Sequence, residues 1–141
     1  MSKRFRPENR GESKILSRIE TSKEQERRRL IHGVGDCIES LSAAIANKLI
    51  ENELVETNNA KVLREQIEYC LEKLSKGDDF DIDYMIAPVR SLVPNPNVVS
   101  LYVTAFVIEQ LLKHKEIIDI YGSDEEIYAS IHRQVVKYLM T

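Results

Sequence analysis

A chain of 141 residues with 43% hydrophobic and 30% charged residues is sized for one compact domain, able to bury enough apolar surface to need no cross-links. Only nine residues are Gly or Pro, which argues against long irregular stretches. The net charge of −3 hides an asymmetry: residues 1–29 hold ten Lys and Arg against five Glu, or +5, while residues 30–141 hold ten against eighteen acids, or −8.

Residues 1–12 lack hydrophobic periodicity and carry Pro7 and Gly11, the composition of a disordered tail. Ile15, Leu16 and Ile19 could dock one helical turn or stay loose. Thr21 or Ser22, with Glu24 or Gln25 three residues on, forms a capping-box signature. It predicts a helix to about His32 whose first turns, KEQERRR, are polar all round and so exposed or partner-facing. Gly33-Val34-Gly35 should interrupt it, because each interior Gly costs about 1 kcal/mol against Ala.

Asp36 and Glu39 can cap a second helix to about Asn52, with Ile38, Leu41, Ile45 and Leu49 on one face. Residues 54–57 read as extended. Asn58 or Asn59 then caps a helix carrying Leu63, Ile67, Cys70, Leu71 and Leu74, closed by Gly77. Ile82 to Val93 keeps a helical pattern that Pro88 should kink or split. Within Pro94-Asn95-Pro96-Asn97, Asn95 is a plausible N-cap with Pro96 at the first helical position. The segment from Val98 to Lys113 is apolar on nearly all sides and, being longer than a typical strand, reads as the most buried helix. Residues 116–121 are extended, Gly122 turns the chain, and Ser123 with Glu126 caps a last helix burying Ile127, Ile131, Val135 and Leu139.

These elements predict an all-α, bundle-like single domain of five or six helices, with at most a minimal two-stranded ribbon from 54–57 and 116–121. A helix, a short acidic extended piece and a capped amphipathic helix occur twice. The chain therefore reads either as two related helical hairpins or as two instances of a common unit. Residues 1–20 form an expected mobile basic arm and 21–141 the helical domain.

No motif carries chemistry on its own. The spacing Arg27-x4-His32 matches that of HEPN-type ribonucleases, without their surrounding pattern. His32 and Asp36 could share a metal only on an unbroken helix. His114 sits between Lys113 and Lys115 at a helix end, and His132 has no acidic neighbour at helical spacing. Asp79-x-Asp81-x-Asp83 opens like a calcium loop but has Tyr84 where Gly is needed and Arg90 where Glu is needed, leaving a solvated acidic helix start. Gly33-x-Gly35 lacks the strand and third Gly of a phosphate cradle. Tyr102 and Tyr128 should pack, and Tyr121 should be exposed beside Gly122. A winged-helix arrangement would set Glu51, Glu53, Glu56, Glu116 and Asp119 against phosphate, which argues against it. Cys37 and Cys70, in no CxxC pattern, read as reduced, buried thiols.

The longest apolar stretch contains Ser100, Thr104, Glu109 and Gln110, too polar to span a bilayer, and no apolar leader follows the basic N-terminus. The expected setting is cytoplasmic, without membrane, cofactor or metal. The residues expected to meet a partner are Arg4, Arg6, Arg10, Arg27, Arg28 and Arg29. Three roles are open to this basic segment: binding nucleic acid, binding an acidic protein surface, or folding back on the chain's own acidic body. Interleaved Glu8, Glu12, Glu20, Glu24 and Glu26 weaken the first. The leading expectation is a non-catalytic interaction or regulatory module, its partner a protein or a second copy. A nucleic-acid-associated protein comes next and a small helical ribonuclease-like enzyme third.

Overall fold

The computed structural model describes the backbone of residues 7–140 and the side chains of residues 22–140. Among the described residues there are six α-helices and one two-stranded ribbon. In order they are α1 (Pro7–Asp36), α2 (Ile38–Glu51), β1 (Val55–Thr57), α3 (Ala60–Lys76), α4 (Asp79–Ile86), α5 (Val98–Glu109), β2 (Ile117–Ile120) and α6 (Asp124–Leu139). Among the described residues no helix is long and apolar enough to cross a membrane.

The helix start expected at Thr21 or Ser22 is not one, since α1 already runs from Pro7. The arm expected to be mobile falls on residues 1–20, whose side chains, and for 1–6 also the backbone, lie outside the described residues. Gly33-Val34-Gly35 does not interrupt α1 either. Val34 is fully buried, and burying a Val side chain returns roughly 1.5–3 kcal/mol, enough to offset the glycines. The break comes instead at Cys37, whose φ of −137° turns the chain into α2. Its Sγ lies 3.5 Å from the Gly33 carbonyl. Asp36 and Glu39 form no capping box.

Asn59, Asp78, Asn97 and Ser123 each cap a helix through a side-chain oxygen. Ser123 and Glu126 form the predicted capping box. The cap of α5 is Asn97, not Asn95. Its Oδ1 accepts from the Val99 and Ser100 amides at 2.9 and 3.2 Å, and its own amide donates to the Tyr128 hydroxyl at 3.0 Å. That buried tether to α6 decides between two asparagines the sequence cannot rank. The pattern from Ile82 to Val93 is helical only to Ile86; Ala87–Val89, containing Pro88, is a 3-10 turn. Likewise α5 stops at Glu109, and Leu111–Lys113 tightens into a 3-10 turn.

The extended pieces pair as expected. β1 and β2 run antiparallel, with Val55 opposite Ile120, Glu56 opposite Asp119 and Thr57 opposite Ile117, so Ile118 is the extra residue of a bulge. The Tyr121 amide donates to the Leu54 carbonyl at 2.8 Å, and the Thr57 hydroxyl to the Glu116 carbonyl at 2.7 Å.

The ribbon joins two units of the same order, α2–β1–α3 and α5–β2–α6. Within each unit the two helices pack together, and across units α2 meets α6 while α5 meets α3. Exchanging the units leaves this pattern unchanged, as does an antiparallel ribbon. Leu49 and Ile67 of the first unit and Leu111 and Ile131 of the second are fully buried at matching places. Every residue from Val99 to Val107 is buried, so α5 is the core helix. α1 lies mainly against α3.

Candidate partner-binding end of the molecule

α1 passes the short helix α4, and this end carries exposed charge and exposed aromatic rings. Ser22 to Glu26, Arg28 and Arg29 are exposed, as the all-polar sequence of those turns requires. Arg27 is different. Its Nη1 lies 2.9 Å from Asp83 Oδ1 and its Nε 3.9 Å from Asp79 Oδ1; Arg90 Nη2 stands 4.0 Å from the same Asp83 oxygen. The Arg27 Nε and Nη2 atoms are buried with no hydrogen-bond partner among the described residues. Arg27 therefore folds back on the acidic body. Arg28 and Arg29 remain exposed, Arg4 and Arg6 lie outside the described residues, and Arg10 is described only as backbone within α1.

Beside Arg27, a cleft of about 620 Å³ is lined by Lys23, Glu26 and Leu30 of α1, the Pro94–Val98 loop, His132 and Met140. At its wall Ser100 Oγ lies 2.7 Å from His132 Nδ1, and the His132 ring stacks on Tyr128 with centroids 5.3 Å apart. Spacing of 32 residues hid this pair from the sequence. It resembles a nucleophile and base, yet Ser100 is fully buried, and a nucleophile must reach its substrate. The pair works as a clamp between α5 and α6.

Burial lowers the His132 pKa from its ordinary 6.5. The unfolded chain then binds more protons than the folded one as pH falls below about 6.5, so the clamp's stability is complete above that pH and declines below it. Thermal melts of wild type and His132→Gln should show this: the wild type loses more stability on acidification through that window. Parallel pH profiles would show that His132 is not the group responsible.

His32 is exposed. It stands five positions on from Arg27, which places the two side chains roughly 140° apart around the helix. Arg27 is turned to α4, so the two do not converge on one phosphate. Among the described residues no three His, Cys, Asp or Glu side chains gather as metal ligands. Cys70 is fully buried, and burial pushes its thiol far above the ordinary value, whereas Cys37, expected to be buried too, is only half-buried at the break between α1 and α2.

The remaining surface feature is α4 itself. Ile82 and Ile86 bury one side of it. Phe80 and Tyr84, four residues apart and so on one face, are 76% and 77% exposed. Asp78, Asp79 and Asp81 are exposed around them. Tyr69 of α3, 53% exposed, lines a shallow groove with Asp81.

No known protein family, curated protein or solved structure matches this chain. The geometry of this end therefore carries the functional reading alone. Sequence reasoning passed over Phe80 and Tyr84, although the signal was present: both lie off the Ile82–Ile86 stripe.

Proposed function

We propose that the chain is a non-catalytic protein-interaction module whose partner docks on the acid-aromatic face of α4. The observation that carries this is the pair of three-quarters-exposed rings, Phe80 and Tyr84, on one helical face. Lone exposed apolar residues are ordinary, but two adjacent aromatic rings on a well-formed helix are what interfaces use. Covering them would remove roughly 200–300 Å² of aromatic surface from water, about 5–8 kcal/mol before the costs of association. The three exposed aspartates set the partner's chemistry. Lys or Arg would meet the carboxylates, and a guanidinium can also stack on the rings. Phosphate would be repelled here.

The test is calorimetric titration of a basic, arginine-rich peptide onto the full chain. Phe80→Ala with Tyr84→Ala should weaken binding at least tenfold, about 1.4 kcal/mol or more, while leaving the melting temperature unchanged. Asp79→Asn with Asp81→Asn should weaken it too and reduce its salt dependence. Affinity unchanged in the aromatic variant would reject α4 as the docking face.

The exposed Arg28 and Arg29 favour nucleic acid as the second reading. In that case affinity for duplex DNA should fall by about 0.9 log units per log unit of salt for each phosphate neutralised. Arg28→Ala with Arg29→Ala should flatten that slope, and the α4 variants should not.

A further inference from the structure

Resting on that docking face, we propose that its occupant is the basic N-terminal segment of a second copy of this chain, exchanged reciprocally in a two-fold dimer. The two surfaces are opposite in charge. Residues 78–86 contain four Asp and no Lys or Arg; residues 1–14 contain five Lys or Arg against two Glu. The segment also carries Phe5, a ring able to lie beside Phe80 and Tyr84.

Within one chain, the part of this segment carried by α1 stands away from α4. Arg27 fixes α1 to α4 through Asp83. α1 is continuous back to Pro7, which at 1.5 Å per residue puts Pro7 roughly 30 Å along the helix from Arg27. Six residues, however extended, reach at most roughly 21 Å. Arg10 and Lys14, on the helix itself, stand roughly 20–25 Å from Arg27 along its axis. The α1 part of the segment is thus carried away from the acidic face of its own chain, where that of another can meet it. Each copy offers one segment and one face, so a reciprocal pair satisfies both and closes the assembly at two.

Sedimentation velocity on the full chain tests this. At about 100 μM in low salt the chain should sediment as a dimer, with the dissociation constant rising at least tenfold in high salt. Arg4→Glu with Arg6→Glu and Arg10→Glu should give a monomer, as should Phe80→Ala with Tyr84→Ala. Mixing these two variants should restore a dimer, because one intact segment then faces one intact surface. Dimers that persist in both variants, or a mixture that stays monomeric, would overturn the exchange. A wild-type monomer that still binds the basic peptide through Phe80 and Tyr84 overturns the second-copy assignment while the docking face stands. A monomer that binds no such peptide overturns both.

Discussion

Ile82→Ala should lower the unfolding free energy by about 2–4 kcal/mol, the ordinary cost of opening a cavity under a buried branched side chain. The effect should be at the upper end because of what α4 is. It has eight residues, and an isolated helix of two turns is not stable in water. Its cap, where the Asp78 carboxylate accepts from the Asp81 amide at 2.8 Å, and the acidic first turn facing the helix dipole each supply no more than about 1 kcal/mol. The helix therefore rests on Ile82 and Ile86, 1% and 5% exposed. Phe80→Ala, on the opposite side, should change stability by less than about 0.5 kcal/mol. Urea denaturation of the two variants separates the helix that presents the rings from the rings themselves. A loss below about 1 kcal/mol for Ile82→Ala would mean that α4 is not held as described.

Gly122→Ala should cost about 2–4 kcal/mol, from two sources that can be measured apart. Gly122 has φ +81°, where an L side chain is strained, and a Cβ there would stand 2.8 Å from Leu54 Cδ2 and 3.2 Å from Glu126 Oε1. The strain is worth about 1–2 kcal/mol and the overlap a further 1–2 kcal/mol. Placing Gly122→Ala in a Leu54→Ala background removes the closest contact and leaves the backbone term. The double-mutant cycle should therefore show a coupling of about 1–2 kcal/mol. Strict additivity would show that contact with Leu54 plays no part. The position matters because it leads out of the ribbon that joins the two units.

The helices whose stripes are clean were legible from spacing alone. Leu41, Ile45 and Leu49, then Leu63, Ile67 and Leu74, then Ile127, Ile131 and Val135 all face the core as their periods require. The ribbon was legible too, because each extended piece lies between a helix end and a capping signal. What local pattern could not supply was the tertiary vote. Val34 keeps two glycines inside a helix, and the Tyr128 hydroxyl selects Asn97 over Asn95. Of the six arginines singled out, Arg27 alone is shown engaged, and its partners Asp79 and Asp83 lie more than fifty residues away. The α4 face was missed because an acidic run reads first as solvated surface, which hides that the rings within it point the same way.

The two-unit architecture also bears on how the chain is made. The first unit ends at Lys76 and the second at Leu139. A ribosome adding about 5–20 residues per second needs roughly 3–12 s to supply the difference. Until Ile120 is added β1 has no strand to pair with, and until Leu139 is added α2 has no complete α6 to cover it. The nascent first unit is a half-core with one open strand edge, the state a chaperone would recognise, and it closes only when its counterpart arrives.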